Sequence, residues 1–266
     1  MSYDLEKEHC KKIVQKTILS YLPLIEYEYS IKKEEIKNIA TNIDNIIEYS
    51  EDTISFFIRD GVLYLPAVFP LFEKLKKHKN YNTCKDTGVP SDKYLNTDAT
   101  YTDYINHVIN DGLDVIDYYK ESLLHETMHL CGGRGYTPLE EGINELKTRQ
   151  LAQMYDIKIA AVGYQKEVEI AQELEKILGN YTMNQIAFMN NREINDYLNF
   201  YHTEEEINLY NEVRHTMNVE GYEYYTKVSS IENPFEKAKL YDSIEYKKTK
   251  AIINNYYNQN SKEGRS

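Results

Sequence analysis

The chain has 266 residues, 41% of them hydrophobic, and a formal net charge of −12. A chain of this length can bury a sizeable core as one large domain. The acidic balance argues against binding to DNA or RNA, because affinity for phosphates depends on clustered lysine and arginine. The sequence has no apolar run long enough to span a membrane, and its first residues lack a basic-then-apolar signal pattern. We therefore expect a soluble cytoplasmic protein without nucleic-acid or membrane partners.

Cysteine usage supports the same compartment. Cys10, Cys84 and Cys131 form an odd and sparse set, which fits free thiols in a reducing environment better than a disulfide framework. Oligomeric state leaves no signal in the sequence.

The N-terminal part of the chain predicts helices followed by a hairpin. Residues 3–20 and 31–49 have the apolar spacing of amphipathic helices, with residues 21–30 as a connector. Two β-rich runs, 54–58 and 62–65, then flank Arg59-Asp60-Gly61, and Pro66 ends the second run. An Asp-Gly pair between two such runs is typical of a β-hairpin.

The next segments are less regular. A helix is predicted through Phe69, Phe72 and Leu75, and residues 80–100 form a polar loop. Residues 101–110 fit either a helix or a strand, while residues 113–130 have the pattern of one helix.

The rest of the chain is nearly all helical in pattern from Leu139 to about Asn258. Breaks are expected near Gly163, Gly179, Gly221 and Pro234. We therefore predict an α+β fold, mainly helical, with a small N-terminal β-sheet. Its regions are 1–112, an N-terminal helical segment with the hairpin, 113–258, the helices with the candidate site, and 259–266, a disordered tail.

A chemical motif lies late in the predicted helix 113–130. His125-Glu126-Thr127-Met128-His129 places two imidazoles one helical turn apart on the same face. That spacing suits a zinc ion, and Glu126, beside the first histidine, is placed to accept a proton from a water at the metal.

A chain reversal and a second helix follow the motif. Cys131-Gly132-Gly133-Arg134-Gly135 puts three glycines into five positions, which ends the helix. Thr137-Pro138-Leu139-Glu140 then has the form of a helix start, with Thr137 as N-cap and Glu140 at the capping-box position. The second helix is thus predicted from Pro138, with Glu141 and Glu145 on one face.

Two histidines leave a zinc site incomplete, because the ion needs a third ligand, preferably anionic, and an open fourth position. Metzincins supply a histidine six residues beyond the motif, as in H-E-x-x-H-x-x-G-x-x-H. Gly132 matches the glycine of that pattern, but Gly135 stands at the histidine position. The alternative is a glutamate from the following helix, which Glu141-Gly142-Ile143-Asn144-Glu145 offers.

This arrangement resembles the gluzincins, the thermolysin-like and aminopeptidase-like zincins, and in particular uncharacterised bacterial members. The resemblance covers roughly residues 113–180 and departs from the best-known members in its short spacer and in Glu140, where they have Asn. It implies that Glu141 is the third zinc ligand and that Glu145 is the hydrogen-bond acceptor for His125. It also implies a zincin-like fold and a zinc-dependent peptidase acting on a peptide or protein.

Amide hydrolysis further requires a donor that stabilises the oxyanion, for which gluzincins commonly use Tyr or His. Tyr136 and His215 are candidates for this donor, and Tyr155, Tyr164 and His202, which also lie after the motif, are further possibilities. Two other functions use the same residues: hydrolysis of a non-peptide amide and zinc binding without catalysis. A purely structural helical protein is the remaining alternative.

Overall fold

The computed structural model describes residues 3–29, 31–50, 56–66, 115–132, 137–159, 161, 164–220 and 244–263. These residues form a mainly helical α+β fold with one small three-stranded sheet, as the sequence predicts. The chain divides into two compact units, Met1–Gly132 with Thr148–Val162, and Gly133–Lys147 with Gly163–Ser266. Among the described residues, no helix is both long enough and apolar enough to cross a membrane.

The first helix, α1, spans Tyr3–Tyr29 and includes Pro23. The predicted connector at residues 21–30 is therefore wrong, because the chain stays helical through residue 29. The apolar stripe explains the extension, since it continues at helical spacing beyond residue 20. Its buried members are Cys10, Val14, Ile18, Tyr21, Leu22, Ile25 and Tyr29.

The second helix, α2, spans Lys33–Asn42 and is shorter than the predicted helix 31–49. Residues 47–50 instead form strand β1, Ile47–Ser50. Ile47 is fully buried and pairs with Leu63, while the Ile46 carbonyl accepts the Leu63 N–H at 2.7 Å. Pairing with a distant strand thus overrides a local helical pattern.

The sheet contains the predicted hairpin. β2, Phe57–Arg59, pairs antiparallel with β3, Val62–Pro66, and β1 lies parallel to β3 on its other side. Asp60 and Gly61 have φ of 53° and 77°, the positive values that a tight Asp-Gly hairpin turn requires. The hairpin prediction is confirmed for the described residues.

The two helices of the motif region follow the prediction. α3 spans Val115–Leu130, and α4 spans Pro138–Met154. The predictions for residues 67–114, for the rest of the glycine-rich reversal at 133–136, and for breaks near Gly163, Gly221 and Pro234 lie outside the described residues.

The second unit packs its helices around one apolar cluster. Its further helices are α5 (Gln165–Leu178), α6 (Asn180–Ile186), α7 (Asn191–Tyr201), α8 (Glu204–His215) and α9 (Ile244–Glu263), and a π-helical turn, Thr216–Glu220, follows α8. Gly179, with φ of 86°, ends α5 as predicted. α9 includes residues 259–263 of the predicted tail.

Leu139 and Ile143 of α4 belong to this cluster. The first turns of α4 are therefore part of the second unit's core.

Candidate metal centre

Helix α3 fixes the two motif histidines through its buried face. Leu124 and Met128 are fully buried, and the Thr127 hydroxyl donates to the Leu123 carbonyl at 2.7 Å. Because this face is anchored, the His125 ring is held in a buried position, 4% exposed, and His129 one turn later is half-buried.

The two histidine rings lie close enough to share an ion. The Nε2 atoms of His125 and His129 lie 3.0 Å apart, and the rings meet edge to face at 76°. Two nitrogens bound to one tetrahedral zinc at about 2.0–2.1 Å would lie about 3.3 Å apart. The observed separation is close to that value, so the histidine pair fits a single metal ion.

Glu141, in the first turn of α4, completes the group. Ligand atoms of His125, His129 and Glu141 all lie within 4.8 Å of one another. Two imidazole nitrogens and one carboxylate oxygen are a donor set that divalent transition metals bind. The three side chains could therefore hold a metal ion.

The neighbouring glutamates differ in their surroundings. Glu126 is half-buried, directly after His125 on α3. Glu145 is only 1% exposed, so it is not an ordinary solvated helix acid. Among the described residues, the group able to hold a metal includes neither Glu140 nor Glu145.

The end of α3 also follows the prediction. The Gly132 N–H donates to the His129 carbonyl at 3.0 Å, and Gly132 has φ of 93°, which favours glycine.

The neighbouring Cys131 is 2% exposed. Burial, together with the charge of Glu35, raises the pKa of its thiol to about 12. Cys131 thus stays a protonated, buried thiol at neutral pH.

The start of α4 departs from the prediction. Thr137 Oγ1 is buried and makes no hydrogen bond within the described part of the chain, so the threonine half of the capping box is absent. The Leu139 N–H donates instead to Asn218 Oδ1 at 3.0 Å. The helix start was predicted correctly, but its cap comes from the π-helical turn 79 residues later.

The candidates for oxyanion stabilisation are placed differently. Tyr155 donates to Glu28 Oε1 at 2.6 Å, and His202 bonds to Thr182 and Glu206. Tyr164 is exposed at the start of α5, and His215 is exposed at the end of α8. The metal-ligating group found among the described residues does not include His215, and Tyr136 lies outside those residues.

Sequence reasoning missed two features near the ligands. Glu121, one turn before His125, is 3% exposed and pairs with Arg149 at 4.0 Å. Gly142, next to Glu141, lies so close to α5 that a Cβ there would be 2.5 Å from the Glu167 carbonyl oxygen. A glycine inside a helix disfavours that helix, which is a sequence signal of close packing. An acid before the motif has no comparable signal.

Comparisons with protein-family models, with curated proteins and with solved structures find no match for this chain.

Proposed function

We propose that this protein is a zinc-dependent metallopeptidase of the gluzincin type. The observation that carries the proposal is the approach of His125, His129 and Glu141 to within 4.8 Å. If the histidine pair had arisen by chance, nothing would bring a carboxylate from another helix to the same point. Zinc is favoured over harder cations because nitrogen supplies two of the three donors.

The residues divide the chemistry between them. His125, His129 and Glu141 would hold the ion, which would supply Lewis-acid activation of a water and of the substrate carbonyl. Glu126 accepts the proton of the attacking water and delivers it to the leaving amine. Glu145 accepts a hydrogen bond from the second ring nitrogen of His125, which fixes the ring's tautomer.

Position and burial support these roles. Glu126 directly follows His125 on α3 and is not one of the three residues of the metal-ligating group, so it can serve as the base without giving up a bond to the metal. Glu145 follows Glu141 by one helical turn and is almost fully buried, where an ionised carboxylate needs hydrogen-bond donors.

The test compares wild type with Glu126→Gln. The amide keeps the shape of the side chain but cannot accept a proton, so turnover of a diverse peptide library should fall by about 10²–10⁴. Zinc content should stay the same. Glu140→Gln is the matched control, because Glu140 is half-buried on α4 but outside the metal-ligating group, and it should keep its activity. Equal activity in wild type and Glu126→Gln would contradict the assignment of the base.

The same experiment separates the other functions. Zinc bound at full stoichiometry with no cleavage of any peptide or simple amide would indicate a binding protein without catalysis. Cleavage of small amides but not of peptides would indicate a non-peptide amide hydrolase.

We also propose a cytoplasmic location, because the buried free thiols Cys10 and Cys131 suit a reducing compartment.

A further inference from the structure

The turn that carries Glu141 is fixed at its start by a distant residue. The Leu139 N–H is one of the donors that a helix start leaves without an intrahelical partner. Asn218 Oδ1 accepts it at 3.0 Å, whereas Thr137 Oγ1, which the sequence places for this role, makes no hydrogen bond among the described residues. The local cap is thus replaced by a tertiary one.

Asn218 lies in a turn whose neighbouring residues are buried. It lies in the π-helical turn Thr216–Glu220 that directly follows α8. Thr216 and Met217 in this turn are 5% and 6% exposed, and Met217 belongs to the same apolar cluster as Leu139. π-helical segments are rare, and they are frequently found at functional sites.

Close packing holds the other side of Glu141. A Cβ on Gly142 would lie 2.5 Å from the Glu167 carbonyl oxygen and 2.6 Å from its carbon, so the backbones of α4 and α5 are in contact there. Glu141 therefore lies between two fixed points, the capped N–H of Leu139 and the packed backbone of Gly142. The backbone of the turn that carries Glu141 is therefore held on both sides.

We propose that Asn218 is a positioning residue for the metal site: by capping α4 from the π-helical turn, it holds in place the first turn of α4, which carries the proposed ligand Glu141. This inference rests on the proposed function, since it requires that Glu141 be a ligand. The π-helical turn Thr216–Glu220 is then needed for full metal affinity although it supplies none of the three ligands.

The test uses the full chain and four proteins: wild type, Asn218→Ala, Asn218→Asp and Asn190→Ala. Asn190 caps α7 through a complete capping box, so Asn190→Ala removes a comparable cap from a helix without a proposed ligand. Zinc affinity is measured by competition with a chelator. Coordination is followed by the visible absorption of Co²⁺ at the site, and the melting temperature is recorded without metal.

Asn218→Ala should weaken zinc binding by about tenfold, because a residue that acts on a ligand only through the backbone should cost no more than the lower end of the ~10–100-fold range for residues that bond a ligand directly, and it should change the Co²⁺ spectrum. Asn218→Asp, whose carboxylate can accept the same hydrogen bond, should restore both. Asn190→Ala should lower the melting temperature of the metal-free protein by a similar amount while zinc affinity and the spectrum stay at wild-type values.

Equal zinc affinity in Asn218→Ala and wild type would overturn the positioning role while leaving the metal site intact. The same holds if Asn190→Ala weakens zinc as much as Asn218→Ala does, or if Asn218→Asp fails to restore affinity. Absence of zinc and Co²⁺ binding in wild type would overturn the metal site and this inference together.

Discussion

Helices α4 and α8 begin with the same sequence signature but start in different ways. α8 follows Thr203 with Glu206 at the third helical position, and both halves of its capping box form: the Glu206 N–H donates to Thr203 Oγ1 at 3.3 Å, and the Thr203 N–H donates to Glu206 Oε2 at 3.0 Å. In α4, Thr137 Oγ1 makes no hydrogen bond within the described residues, and the cap is Asn218. The N-terminus of α8 is capped by residues next to it in sequence, whereas the N-terminus of α4 is capped by a residue that is distant in sequence.

The same contrast continues along α4. Gly142 packs against the α5 backbone, and the fully buried Lys147 donates to Glu175 Oε1 at 2.5 Å and Asn180 Oδ1 at 3.0 Å. Each of these partners is distant in sequence. The helix with the proposed ligand is thus placed by the second unit's core, which makes its position sensitive to changes far from the motif.

Lys147 gives the largest expected effect on stability. Glu175→Gln leaves the buried ammonium without its anionic partner, and we expect a loss of about 3 kcal/mol in the free energy of unfolding. Lys147→Met should cost less, because the carboxylate left behind is 18% exposed and stays partly hydrated. Urea unfolding of both variants tests this order. A larger loss of unfolding free energy in Lys147→Met than in Glu175→Gln would mean that the unpaired Glu175 carboxylate is more costly to bury than the unpaired Lys147 ammonium.

The pH dependence of Glu175→Gln sharpens this prediction. Burial lowers the pKa of Lys147, and Glu175 opposes the shift through its hydrogen bond and charge. Without Glu175, the folded protein should release the lysine proton more readily than the unfolded chain does. The penalty is therefore present at neutral pH and relieved as pH rises toward the ordinary lysine value of about 10.4. The stability gap between Glu175→Gln and wild type should narrow from pH 7 to pH 10, and a constant gap would argue against a charged, buried Lys147.

Gly142→Ala should be intermediate in effect. Alanine is the better helix former by about 1 kcal/mol, but its Cβ would meet the Glu167 backbone at 2.5 Å. We expect a net loss of about 2 kcal/mol from forced separation of the two helices, with weaker zinc binding as Glu141 moves. If Gly142→Ala is more stable than wild type and its zinc affinity is unchanged, the first turn of α5 can shift to make room for the Cβ without a loss in the free energy of unfolding.

The two threonines should give the smallest and most selective difference. Thr203→Ala removes a working cap and should cost about 1 kcal/mol. Thr137→Ala removes a buried hydroxyl that makes no hydrogen bond among the described residues, so its cost should be close to zero. Thermal unfolding of the two variants measures this. Equal losses would mean that Thr137 caps α4 after all.

Local signals predicted local features well. The Asp60-Gly61 hairpin, the helix ending at Leu130, and the start of α4 at Pro138 follow from turn chemistry, periodicity and the glycine and proline positions. The two histidines were identified from spacing alone, because a helix fixes residues four apart on one face.

Features that depend on distant partners were missed. Strand β1 exists because Ile47 pairs with Leu63, and the helical pattern before it gives no sign of that pairing. α1 continues through the predicted connector and through Pro23, because its row of buried apolar side chains extends to Tyr29. Asn218 has no local feature that links it to α4. Sequence reasoning therefore found the proposed ligands but not what holds Glu141 in place.

The most direct test is the zinc content of protein purified without added metal, measured by mass spectrometry on wild type, His129→Ala, Glu141→Ala and Glu140→Ala. We expect about one zinc ion per chain in wild type and in Glu140→Ala, and none in the other two, because two remaining ligands hold zinc poorly. Wild-type zinc content in Glu141→Ala would contradict the joint site of His125, His129 and Glu141.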